Sequence, residues 1–91
     1  MTCLVIVESN LIDAVELGKY SEQAVKTVIA FGGHFVAKGD VELLHGEAAY
    51  SKKAVIQFPD KETARNWYQS EAYQALIPQR EKGMKSQFHL L

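Results

Sequence analysis

Three aromatic residues with polar tips have a spacing that lets them converge on one ligand. Tyr20 lies on the apolar stripe of one amphipathic segment, and Trp67 and Tyr73, six residues apart, lie in a second helical region. Such side chains combine an apolar body with a hydrogen-bonding tip, which suits a cavity for a small aromatic or acyl ligand. The alternative is that all three are ordinary core residues, because aromatic residues on an inner helical stripe commonly are.

Three further polar residues are candidates for the same pocket. Arg80 follows a predicted helix end, where its charge suits the helix dipole or could bind a ligand carboxylate. Asn10 follows the first predicted strand and fits either a pocket group or a plain turn, and His34 begins the second predicted strand. The predicted ligand pocket therefore comprises Asn10, Tyr20, His34, Trp67, Tyr73 and Arg80.

The sequence lacks the usual patterns of other reactive sites. Its three histidines are widely separated, and neither His-x-x-x-His nor Cys-x-x-Cys occurs, so only a metal site assembled from distant residues stays open. No Gly-x-Ser-x-Gly nucleophile motif is present. Gly32-Gly33 ends a predicted helix, whereas a phosphate-binding loop precedes one. We therefore predict no metal and no cofactor, and assign no catalytic residue.

The composition is that of one ordinary soluble domain over residues 1–91. Apolar residues make up 47% of the chain, and the formal charge of -1 provides no attraction to nucleic acid or anionic lipid. The apolar run Cys3–Val7 ends at Glu8, far short of the roughly 20 residues that a membrane helix needs. Cys3, the single cysteine, cannot form an internal disulfide and reads as an inert core thiol. We expect a cytoplasmic protein with no nucleic-acid or membrane partner.

Hydrophobic periodicity and capping signals predict the elements that would position these residues. Strands are predicted over residues 2–9, 34–38, 41–44, 53–58 and 86–91. One helix runs from Asp13 to Phe31, and a second begins at the N-cap Asp60 and breaks at Ser70. A shorter helix then carries Pro78 at a kink or near its end. Gly39-Asp40 reads as a tight turn between the second strand and its continuation.

This order of elements is the split βαβ arrangement of a ferredoxin-like α+β domain with an antiparallel sheet. Its helices cover one face of the sheet and leave the other bare. The first strand and residues 53–58 read as apolar in both alternating registers, and an exposed apolar face marks an interface. We therefore expect a homodimer joined through the sheet face.

Several motifs along the chain resemble one family. They are Val5–Glu8, Asp13, Tyr20, Phe31–Phe35, Phe58–Asp60, Ala64–Tyr68 and Ser70–Gln74. On these residues the chain resembles the domain of unknown function 1330 (DUF1330) family, which belongs to the dimeric α+β barrel superfamily. The resemblance implies two ferredoxin-like protomers whose sheets pack into a barrel. It implies no reaction, because the family's function is unassigned.

Within that superfamily, cofactor-independent monooxygenases carry a Trp and a Tyr six residues apart, and Trp67 and Tyr73 resemble that pair. Those enzymes also have an Asn where this chain has Thr63, and an arginine on the last strand, which residues 86–91 lack. Our first interpretation is a small-molecule-binding or accessory homodimer. The alternative is a cofactor-independent monooxygenase or isomerase acting on a small aromatic or keto substrate. The third hypothesis is a dimerisation scaffold that has no ligand.

Overall fold

The computed structural model describes residues 2–91 as a four-stranded antiparallel sheet with helices against one face. The strands are β1 (Cys3–Leu11), β2 (His34–Asp40), β3 (Lys52–Phe58) and β4 (Met84–Leu90), in the spatial order β2-β3-β1-β4. The helices are α1 (Ala14–Ala30), α2 (Lys61–Gln69), α3 (Glu71–Gln74) and α4 (Ile77–Gly83). This is the ferredoxin-like α+β fold that the sequence predicts.

Short polar side chains begin the helices at the predicted positions. The Asp13 carboxylate accepts from the first-turn backbone N–H groups of Val15 and Glu16 at 2.9 and 3.2 Å. Asp60 accepts from the backbone N–H of Thr63 at 2.7 Å, and this hydrogen bond lowers the pKa of Asp60. Ser70 ends α2 and begins the next helix by accepting from the backbone N–H of Tyr73. The predicted break at Ser70 is thereby confirmed.

Two local predictions, the Gly39-Asp40 turn and the strand over residues 41–44, are wrong. Gly39-Asp40 is not a turn, because Gly39 and Asp40 pair with Lys53 and Lys52 and so continue β2. The ladder to β3 satisfies more backbone groups than a two-residue turn would, and residues 41–51 form the connection instead of a further strand. Pro78 lies in the first turn of a separate helix, α4, where its missing N–H costs nothing.

The core lies between the sheet and the helices. On this side β1 contributes Cys3, Val5 and Val7, all buried, and α1 contributes Tyr20, Ala24 and Val28. Buried residues of the other elements are Ile56, Phe58, Ala64, Trp67, Tyr73 and Met84.

The opposite face of the sheet, called the open face below, is mixed in polarity. Leu4 and Ile6 of β1 and Val55 of β3 form a half-buried apolar row there. The prediction that residues 53–58 are apolar in both registers is wrong, because Lys53 and Gln57 flank Val55 on this face. The apolar part of the open face is therefore a strip along the centre of the sheet.

Candidate functional site

Six rings from five elements form one aromatic cluster between the sheet and the helices. Its members are Tyr20, Phe58, Trp67, Tyr68, Tyr73 and Phe88. The Trp67 and Tyr73 ring centroids are 4.5 Å apart, and those of Tyr68 and Tyr73 are 5.1 Å apart. Tyr73 has no exposed surface and Trp67 is 1% exposed, so both rings are core residues as well as candidate pocket residues.

The polar tip of Trp67 is engaged within the protein. Its Nε1–H donates to Oγ1 of Thr27 at 3.0 Å, and that hydroxyl donates to the carbonyl of Ala24 at 2.7 Å. This chain of hydrogen bonds ties α2 to α1. Because the indole has only one N–H, Trp67 has no donor left for a ligand.

Arg80 reaches from α4 into the aromatic cluster and is only 8% exposed. Its Nη1 donates to the hydroxyls of Tyr68 and Tyr73 at 3.0 and 3.1 Å, and its Cζ lies 5.0 Å from the Phe88 ring centroid. Nε and Nη2 donate to the carboxylate of the exposed Glu81 at 3.2 and 2.8 Å. Burial lowers the pKa of Arg80, but these hydrogen bonds outweigh it and raise the pKa overall. Arg80 is therefore a fixed cation that holds two phenols.

The hydroxyls of Tyr20 and Tyr73 are hydrogen-bonded to each other at 2.6 Å. Burial raises the pKa of both phenols, and for Tyr20 the interaction with the nearby Tyr73 hydroxyl raises the pKa further. Both residues therefore keep their protons at neutral pH. A continuous chain of hydrogen bonds runs from Arg80 through Tyr73 to Tyr20.

A cavity of about 260 Å³ lies between α1 and the sheet, and it is called the α1–sheet cavity below. Its apolar walls include Val7, Leu17, Ala24, Val28, Phe35, Ile56, Trp67, Met84 and Phe88, together with Tyr20. Lys38 and Lys52, which border it from the helix-facing side of β2 and β3, are both exposed and so lie where the cavity meets solvent. Lys53 also borders the cavity, but its Nζ lies 3.8 Å from the Glu8 carboxylate. The cavity is thus apolar inside and basic at its mouth.

A second depression of about 490 Å³ runs between α2 and β4, and it is called the α2–β4 groove below. Arg80, Arg65 and Tyr68 border it. Trp67 and Phe88 border both this groove and the α1–sheet cavity, so their side chains form the wall between the two.

The structure brings four of the six predicted pocket residues together, namely Tyr20, Trp67, Tyr73 and Arg80. The other two lie elsewhere. The Asn10 amide donates to the carbonyl of Ala49 at 3.0 Å and accepts from the backbone N–H of Ser51 at 2.8 Å, so it holds the connection before β3. His34 pairs with Gln57 on the open face.

Sequence reasoning missed the two lysines at the mouth of the α1–sheet cavity. Simple alternation along β2 would place Phe35 and Lys38 on opposite faces, since they are three residues apart. A β-bulge between Phe35 and Ala37 shifts the register, so that Phe35 pairs with Ile56 and Lys38 with Ala54 on the helix-facing side. The sequence signal that could have located one of them is Lys52, which lies two residues before Ala54 and so shares its face of the strand.

Comparison with solved structures defines the class of protein as ferredoxin-like. A protein of unknown function from Rhodopseudomonas palustris superposes with a TM-score of 0.82 at 15% identity, covering 99% of this chain and 80% of that one. A dimeric ferredoxin-like protein of unknown function from Jannaschia sp. CCS1 gives 0.70 at 12% identity, covering 100% and 98%. SnoaB, a cofactor-independent oxygenase from Streptomyces nogalater, gives 0.73 at 11% identity, covering 99% and 90%. These identities establish the fold alone.

The family is established by sequence. The family model described as domain of unknown function (DUF1330) matches residues 2–91, and the chain belongs to this family. No functionally curated protein matches the chain.

Residues 2–91 lack two further features. Within this range, no group of three or more His, Cys, Asp or Glu side chains is placed to hold a metal ion. No helix in the described part of the chain is long and apolar enough to cross a membrane.

Proposed function

We propose that this protein is a homodimeric binding protein for a small apolar molecule that carries an anionic group. The observation that carries the proposal is the α1–sheet cavity, whose apolar walls are bordered at the mouth by Lys38 and Lys52. Neither lysine forms an ion pair within residues 2–91. Apolar walls with a few convergent polar groups are the usual form of a small-molecule site, and two lysines without an acidic partner at the mouth favour an anion there, although Lys38 also lies over the Phe35 ring.

The dimensions of the cavity restrict the ligand. At about 260 Å³ it lies just below the range of roughly 300–1,000 Å³ that is common for small-molecule sites. A one- or two-ring aromatic carboxylate, or a short acyl chain with a carboxylate, fits this description. Its apolar body would contact Val28, Phe35 and Ile56, while its carboxylate stayed close to the lysines.

The oxygenase alternative receives less support from the aromatic residues. The indole N–H of Trp67 is donated to Thr27, and the Tyr73 hydroxyl is engaged by both Tyr20 and Arg80. Acid–base work on a substrate needs a polar group within hydrogen-bond reach of the reacting atoms. Because both tips are already engaged inside the protein, binding is the function that this geometry favours.

Replacement of the two mouth lysines tests the proposal. Naphthalene-1-carboxylate is the probe, and Trp67, the only tryptophan and part of the cavity wall, reports its binding by fluorescence. We expect K38Q/K52Q to weaken binding by about three- to tenfold, since exposed ion pairs contribute on the order of 0.2–1 kcal/mol each. Naphthalene, which lacks the carboxylate, should bind the wild type and the variant equally well.

The control for this test is K61Q. Lys61 is exposed in the first turn of α2 and borders neither cavity, so its replacement should leave naphthoate affinity unchanged. A wild-type protein that does not bind naphthoate, or a K38Q/K52Q variant with wild-type affinity, would contradict the proposal.

The homodimer part of the proposal rests on the open face. Leu4, Ile6 and Val55 form its apolar row on the two central strands, where a second sheet can cover them. The structural neighbour from Jannaschia sp. CCS1 is described as dimeric. Glu8, which lies within 4 Å of both Lys53 and His89, supplies a polar rim beside the row.

A charge in the centre of this row should abolish the dimer. We expect the wild type to sediment as a dimer at micromolar concentration and I6K to sediment as a monomer, because a lysine there would be buried without a partner. I29K places the same charge on α1, where Ile29 is 63% exposed, and should remain dimeric. A monomeric wild type, or a dimeric I6K, would count against the sheet-to-sheet assembly.

A further inference from the structure

The direction of the hydrogen bonds in the Arg80–Tyr73–Tyr20 chain follows from counting protons. A guanidinium only donates, so Arg80 Nη1 gives one N–H to Tyr68 and the other to Tyr73. The Tyr73 hydroxyl oxygen is therefore an acceptor, and its own proton needs a partner. Within residues 2–91 the only acceptor in reach of that proton is the Tyr20 hydroxyl oxygen at 2.6 Å. Because Tyr73 is fully buried and buried donors are nearly always satisfied, Tyr73 donates to Tyr20.

This assignment leaves the proton of Tyr20 free. Its oxygen accepts from Tyr73, and the hydroxyl has no second partner among residues 2–91. Tyr20 borders the α1–sheet cavity and does not border the α2–β4 groove. Since Tyr20 lines the α1–sheet cavity, its unpaired O–H is the donor that this wall can offer to an occupant.

We infer that the Tyr20 hydroxyl is the hydrogen-bond donor of the α1–sheet cavity, and that the ligand presents a carbonyl oxygen to it. The inference rests on the proposed binding function, which assigns an anionic group to the end of the ligand at the cavity mouth. It assigns a carbonyl group to the opposite, inner end of the ligand. Donation from Arg80 to Tyr73 and from Tyr73 to Tyr20 polarises each successive hydroxyl, which makes Tyr20 a stronger donor than an isolated phenol. The ligand class is an aryl or acyl carbonyl compound with an anionic group at the far end.

A matched pair of neutral probes isolates this hydrogen bond. 1-Tetralone and tetralin share one ring skeleton and differ in whether a carbonyl is present, and Trp67 fluorescence reports the binding of both. We expect the ratio of tetralone to tetralin affinity to fall by about three- to tenfold in Y20F, the factor that one net hydrogen bond gives. Tetralin affinity itself should not change. Y50F makes the same substitution outside both cavities and should keep the wild-type ratio.

The carbonyl stretch of bound tetralone gives a second measurement, which detects the hydrogen bond directly in the wild-type protein. Hydrogen bonding to Tyr20 should lower its infrared frequency relative to tetralone dissolved in hexane, and Y20F should remove that shift. An unshifted band in the wild type, or an affinity ratio that Y20F does not change, overturns the inference. A protein that binds naphthoate but neither neutral probe also overturns the inference. A protein that binds none of the three probes contradicts the proposed function itself.

Discussion

Replacing Gly83 with alanine is expected to destabilise the protein by about 3 kcal/mol, at the upper end of the usual cost of overpacking. A Cβ at Gly83 would lie 2.7 Å from both the Cα and the backbone N of Leu17, a distance that real Cβ contacts do not show. The atoms it meets are backbone, so no side-chain rotation relieves the contact. The Gly83 carbonyl also accepts from the backbone N–H groups of Ile12 and Asp13, which fixes the end of α4 against the start of α1.

Urea denaturation followed by circular dichroism measures this cost, and G18A is the matched control. Gly18 lies in α1 next to Leu17, and a Cβ there would meet nothing within 4 Å. We expect G18A to stabilise the protein by about 0.5–1 kcal/mol, the helix-propensity difference between glycine and alanine. Equal stabilities for G83A and the wild type would show that α1 and α4 move apart at little cost.

Replacing Arg80 with methionine is expected to cost about 2–4 kcal/mol. The substitution removes the charged donor of one buried and one half-buried tyrosine hydroxyl, and hydrogen bonds to charged groups contribute about 1.5–3 kcal/mol each. Methionine recovers part of the packing against Phe88, because it has a comparable unbranched stem. R80K should be intermediate, since an ammonium lacks the planar fork that reaches both phenols and Glu81.

The other arginine provides the control for this prediction. Arg65 is exposed on α2, and R65M should change the free energy of unfolding by less than about 0.5 kcal/mol. If R80M and R65M were equally stable, the cluster would not depend on its buried cation, and the proton assignment at Tyr73 would lose its basis.

The sequence predicts the elements well where the signal is local. Asp13, Asp60 and Ser70 are recognisable caps, because a short polar side chain needs only its own first helical turn to act. The family resemblance also predicts the fold, and the family and the ferredoxin-like architecture are both confirmed. The prediction of a turn at Gly39-Asp40 was wrong, because pairing with β3, which is distant in sequence, determines the conformation of these two residues.

The candidate site was less predictable, because its polar contacts depend on tertiary geometry. Arg80 carries a helix-end signal, yet its position against Tyr68 and Tyr73 depends on how α4 packs beside α2 and α3. Asn10 was consistent with a pocket or a turn, and only the path of residues 41–51 shows which backbone groups it bonds. Inner-stripe periodicity was enough to find Tyr20, Trp67 and Tyr73, since it selects the residues that face the sheet.

The bulge in β2 allows strands of two different lengths to present the same side chains to the cavity. A relative that lacks the residue at Val36 would still pair Phe35 with Ile56 and Lys38 with Ala54, because the partners in β3 are consecutive. A relative that keeps this residue but pairs without a bulge would turn Lys38 toward the open face. We therefore expect loss of one residue here to leave the mouth of the cavity unchanged, and loss of the bulge alone to remove Lys38 from it.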